Sequence, residues 1–121
     1  MKRMFAYCYS LTSINLSNFN TSNVINMEEM FRECKSLTSI NLFNFDTNKV
    51  INMARMFFGC ESLKYINLTN FNCDKIKTTY EMIDMFKECK SLKIDNVIYK
   101  DFKIRGQLLI DLKENSECIT C

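Results

Sequence analysis

The chain repeats itself. Residues 4–29, MFAYCYSLTSINLSNFNTSNVINMEE, are followed by MFRECKSLTSINLFNFDTNKVINMAR and then by MFFGCESLKYINLTNFNCDKIKTTYEMID, and a fourth copy opens at Met85 with MFKECKSLK. Measured on Cys8, Cys34, Cys60 and Cys89, the period is 26, 26 and 29 residues, with the three extra residues between Ile76 and Met82. A unit this short cannot bury its apolar side alone, so each must stack on its neighbours and the core must run through the stack. Any fold for this chain has to satisfy that period.

Within each unit the pattern L-x-x-I-x-L-x-x-F recurs: Leu11, Ile14, Leu16, Phe19; Leu37, Ile40, Leu42, Phe45; Leu63, Ile66, Leu68, Phe71. Ile and Leu two apart share one face of a strand. Before it, Met27, Met30, Phe31, Cys34 and Leu37 are spaced as on one face of a helix. Asn20-Thr21-Ser22-Asn23, Asp46-Thr47-Asn48-Lys49 and Asn72-Cys73-Asp74-Lys75 are polar corners. The pattern has the core of a leucine-rich repeat. The expected fold is an α/β repeat: a solenoid of about 3.5 to 4 coils, with a short parallel sheet on the concave side and helical segments on the convex side. Equivalent residues then form core ladders: Phe5, Phe31, Phe57, Phe86; Phe19, Phe45, Phe71; Met4, Met30, Met56, Met85. The repeats, starting at residues 4, 30, 56 and 85, occupy residues 1–92, and residues 93–121 form a cap and tail.

The unit MF-x-x-C-x-SL-x-x-INL-x-NF-x-T-x-x-V-x-NM resembles the BspA-like leucine-rich-repeat surface proteins of bacteria and protists, over about residues 4–92. That family usually has Asp where this chain has Asn15, Asn41 and Asn67. The resemblance implies a solenoid displayed at the cell surface, adhering to host molecules or other cells, without enzymatic activity. The start MKRMFAYCYSLTS shows no apolar run ending in a small-residue cleavage site, so no signal peptide is visible. Localisation stays open.

An open end of a repeat stack exposes core and must be covered. The apolar density of Ile104 to Leu112 suits a closing strand, with Gly106 allowing a bend. At the other end the first unit begins almost at Met1, and a homo-oligomer joined through that uncapped end is an alternative function: an intracellular scaffold or assembly subunit. Membrane insertion is not expected, since no apolar run approaches the length of a span. Six basic residues face four acidic ones in residues 1–60, and ten face ten in residues 61–121, so the field is weak and no nucleic-acid partner is expected.

Histidine is absent, which removes His general bases, Cys–His nucleophile pairs and imidazole zinc sites. Of seven cysteines, Cys8, Cys34, Cys60 and Cys89 hold one repeat position and are expected as a reduced core ladder. Cys118-Ile-Thr-Cys121 has the spacing of metal knuckles and thiol oxidoreductases, but with Cys73 as the one other cysteine off the ladder it lacks a four-ligand set. No catalytic residue, metal or cofactor is therefore expected. What remains is surface. Outward strand positions are Ser13, Asn15, Ser17; Ser39, Asn41, Phe43; and Tyr65, Asn67, Thr69. Phe43 and Tyr65 are aromatic anchors of the kind protein contacts favour, and Asn15, Asn41 and Asn67 are the polar readers beside them. The expected function is a non-enzymatic module that binds another protein through the concave sheet, of surface or adhesion type.

Overall fold

The computed structural model describes residues 1–113. Three short strands, β1 (Ser39–Asn41), β2 (Tyr65–Leu68) and β3 (Val97–Tyr99), form one parallel sheet in the order β1-β2-β3. Two 3-10 turns, Thr79–Met82 and Ile94–Asn96, precede the single α-helix among the described residues, α1 (Phe102–Asp111). β1 and β2 pair at the repeat spacing, Ile40 with Ile66. β2 and β3 do not: Ile66 meets Val97, because the turn at Ile94–Asn96 inserts extra residues before the last strand.

This overturns the expected solenoid of 3.5 to 4 coils with helices on its convex side. Three strands and one terminal helix are too few, and residues 13–16 of the first unit form no strand. The segments spaced like helices are successions of turns. Each unit places two residues in the left-handed region: Arg3, Glu29, Arg55 and Asp84 in one row, and Tyr7, Glu33, Gly59 and Glu88 in the other. Two left-handed residues four apart in each unit stop a right-handed helix from propagating. The N–H groups then alternate. Met30, Arg32 and Cys34 donate three residues back along the same segment, whereas Glu29, Phe31 and Glu33 donate 25 residues on, to the carbonyls of Ala54, Met56 and Phe58 in the adjacent layer. A side chain at offsets three, four and seven still faces inward, so the apolar spacing looks helical without a helix.

The ladders stand at the repeat spacing. The rings of Phe31 and Phe57 lie 5.5 Å apart and 3° from parallel, Phe57 and Phe86 follow at 5.7 Å, and Phe45 stacks on Phe71 at 6.4 Å. Met30, Met56 and Met85 are fully buried beside them. At the first unit Phe5 is only partly buried and Met4 is exposed. Thr21 and Thr47, also buried, tie corners together: Thr47 Oγ1 donates to the Asn72 carbonyl and accepts from the Asn72 N–H.

The expected closing strand over Ile104 to Leu112 is instead α1. Asp101 occupies the corner position of Asp46 and Asn72, and its Oδ1 accepts from the Lys103 N–H, which starts a helix where the earlier corners make a turn. Ile104, Leu108 and Leu112 then point into the core.

Candidate functional site

The outward side of the sheet carries the predicted residues. Along β1 the burial alternates, with Ser39 and Asn41 out and Ile40 in, and Phe43 follows in the exposed phase. Phe43 is 57% exposed and Tyr65 38%. Phe43 is held on both sides of its backbone: its N–H donates to Asn41 Oδ1 at 3.0 Å, and its carbonyl accepts from Asn70 Nδ2 at 2.7 Å. An exposed ring on a fixed backbone loses little freedom on binding.

Asn15, Asn41 and Asn67 each turn the side-chain oxygen back on the chain, accepting from the N–H two residues on, at Ser17, Phe43 and Thr69. They shape the turn that follows each strand position. Their oxygens are thereby engaged, and the amide N–H groups of Asn15, Asn41 and Asn67 meet no acceptor among the described residues. A second row, not singled out from the sequence, does related work. Asn44 Nδ2 gathers the carbonyls of Leu16, Ser17 and Phe19 within 3.0 to 3.3 Å. The repeated Asn-Phe pair at Asn18, Asn44 and Asn70 was the available signal.

A cleft of about 400 Å³ opens between the first two units, lined by Ile14, Asn15, Leu16, Ser17, Asn41, Phe43 and Asn44. It brings together three of the five predicted residues: Asn15, Asn41 and Phe43. Tyr65 and Asn67 lie outside it. Tyr65 pairs with Ser39, at the far end of the strand from Phe43. At about 3.3 Å per residue and one strand across, the two aromatics stand roughly 14 Å apart. The face also holds Ile98, 43% exposed and level with Asn67, which the decayed fourth repeat concealed.

No charged side chain lines the cleft. It offers apolar contact, amide donors and one hydroxyl, which suit recognition rather than proton transfer. Elsewhere, Cys34, Cys60 and Cys89 are buried, and their thiols donate to the carbonyls of Phe5, Phe31 and Phe57 at 3.0 to 3.1 Å. Burial pushes the Cys34 thiol up to about 11 and Cys73 up to about 12, and raises Cys60 and Cys89 as well, which makes them poor nucleophiles. Among the described residues no three of Cys, Asp and Glu gather as a metal site. Cys118 and Cys121 lie outside the described residues.

Two carboxyls are buried among the described residues, Glu29 and Asp111, and Glu29 is paired with arginines. Glu29 accepts from Arg3 Nε at 2.7 Å and from an Arg32 guanidinium nitrogen at 3.1 Å. Burial pushes its carboxyl up, but the two arginines outweigh that and hold it below the usual range. The guanidinium of Arg32 lies 4.8 Å over the Phe58 ring.

Residues 1–105 match the family described as "Mycoplasma protein of unknown function, DUF285". The chain belongs to the DUF285 family. The match covers every repeat unit and ends inside α1, so Gln107 and Asp111 lie beyond the matched residues. No curated protein and no solved structure matches the chain. No helix among the described residues of this DUF285 protein is long and apolar enough to cross a membrane.

Proposed function

We propose that this protein is a non-enzymatic protein-binding module that uses the outward face of its sheet, with Phe43 and Tyr65 as anchors and the amide groups of Asn15, Asn41 and Asn67 as hydrogen-bond donors. The observation that carries it is Phe43: more than half exposed, clamped through its own N–H and carbonyl, and set at the edge of an uncharged cleft. The resemblance of its repeat to BspA-like surface proteins supports an adhesive role on the cell surface. No cofactor belongs to this reading.

The test compares wild type with the Phe43→Ala, Tyr65→Ala double variant, immobilised and exposed to detergent extracts of source and host cells, with bound proteins quantified by mass spectrometry. Proteins enriched by wild type are lost from the variant, while stability stays within about 0.5 kcal/mol, as for surface substitutions. Retention of the same proteins by the variant refutes the assignment. Protease shaving of intact source cells tests the surface role, which fails if peptides of residues 4–92 appear only after lysis.

A second reading, an assembly subunit joined through the first unit, rests on the side chains exposed there. Tyr7 and Tyr9 are 46% and 54% exposed, Cys8 is exposed, and Phe5, which stacks on Phe31, is only partly buried. A Tyr9→Lys variant that leaves light-scattering mass unchanged removes this reading.

A further inference from the structure

α1 has two apolar faces. Ile104, Leu108 and Leu112 pack into the core. On the opposite side, at helical spacings of four, seven and eight, Phe102, Gly106, Leu109 and Ile110 face outward. Phe102 is 85% exposed, Ile110 68% and Leu109 47%. A stripe of this kind is wasted on a helix that needs only one face buried.

Gly106 sits at the centre of that stripe. A Cβ added there would meet nothing within 4 Å, so the glycine leaves open space. It is the floor of a cleft of about 310 Å³ between α1 and the three-residue insertion of the third unit, lined by Ile76, Met82, Gly106 and Ile110 among others. An apolar cavity of roughly half that volume holds a benzene ring. Glycine in mid-helix costs about 1 kcal/mol relative to alanine, and close approach of another backbone is a use that offsets it.

We infer that this face is an interface with a second copy of the chain, two α1 helices crossing antiparallel about a two-fold axis at Gly106. The spacing of the stripe is self-complementary. Phe102 and Ile110 lie four residues to either side of Gly106, so an antiparallel crossing sets each Phe102 against Ile110 of the partner subunit, whose cleft receives the ring. Lys103, on the same face, turns its ammonium aside to the carbonyls of Cys73 and Ile76 at 3.0 and 2.8 Å, while Lys77 in the cleft lining and the exposed Arg105 beside Gly106 are like charges that salt must screen for the copies to meet. The area is adequate and no more. With Tyr80, 76% exposed beside the cleft-lining Thr79, and at 150–250 Å² per aromatic side chain, the open apolar surface is on the order of 500 Å² per copy. Complete burial of that surface in both copies gives about 1,000 Å² at most, the lower bound of a specific interface, so the dimer is weak and reversible.

Sedimentation velocity of the full chain from about 1 to 500 µM tests it, with far-UV circular dichroism to verify folding. Wild type passes from monomer to dimer across the range. Phe102→Ala weakens association at least tenfold, and Gly106→Leu, which fills the cleft and favours the helix, does the same, while Tyr9→Lys leaves it unchanged. A monomer at every concentration overturns the inference. So does a dimer that survives both α1 substitutions, a dimer lost through Tyr9→Lys, or a monomer whose α1 face instead binds vesicles of anionic phospholipid.

Discussion

Asp111 stands where the repeat runs out. The N–H groups of Phe5, Phe31 and Phe57 donate to the carbonyls of Met30, Met56 and Met85 in the following unit. Phe86 has no following unit, and its N–H donates to Asp111 Oδ2 at 2.9 Å, across the same 25-residue separation as Phe5 and Met30. Asp111 is 8% exposed, and both of its oxygens also accept from Gln107 Nε2 at 2.9 Å. Burial raises its carboxyl above the usual range, against the hydrogen bonds from Phe86 and Gln107. Two substitutions separate the acceptor from the charge. Asp111→Asn keeps an oxygen for Phe86 and removes the charge; the Gln107 amide reverses to match. Asp111→Ala strands a buried N–H, which costs about 1–3 kcal/mol. With a urea m-value of about 2 kcal/mol per M, the Ala variant therefore unfolds roughly 1 M below the Asn variant. Because the folded-state carboxyl is raised, its stabilising contribution is full below the unfolded value of about 3.9 and is lost as pH rises through the folded value. Asn does not titrate, so the advantage of Asp111→Asn over wild type grows from about pH 4 upward and then levels. Urea unfolding followed by far-UV circular dichroism between pH 4 and 8 reads both effects. Coincident Ala and Asn midpoints, or an Asn advantage flat with pH, would refute the capping role.

Glu29 has the opposite sign. Its carboxyl is held low by Arg3 and Arg32, so Glu29→Gln costs about 1–3 kcal/mol above pH 5, and the difference from wild type shrinks as pH falls through the folded value; a difference constant down to pH 3 in the same assay contradicts it. Thiol accessibility follows burial: maleimide labels Cys8 in the native protein while Cys34, Cys60, Cys73 and Cys89 react only on unfolding, and peptide mapping that finds Cys60 labelled natively at the rate of Cys8 shows the core has been misplaced.

The 26-residue period and the identity of the inward residues are written in the sequence, because any stacked repeat must present the same apolar side chains at the same height. Phe31, Phe57 and Phe86 are therefore found stacked, and Phe43 and Tyr65 exposed, as their positions in the pattern imply. The corner residues were equally legible, since Asn and Asp make local turns through a bond that needs only their own backbone. Backbone path was not. Met27, Met30, Phe31 and Cys34 have helical spacing, but Glu29 and Glu33 between them are left-handed, and Gly59, at the Glu33 position one unit on, is the one glycine in either row to announce it. Their conformation is worth its strain only because it aims alternate N–H groups at the next unit, a gain that exists once the units are stacked. The same holds for the cleft beside Phe43, for Ile98 level with Asn67, and for Asp111 beneath Phe86. Each depends on two segments at least 25 residues apart, and what brings them together is the stack itself.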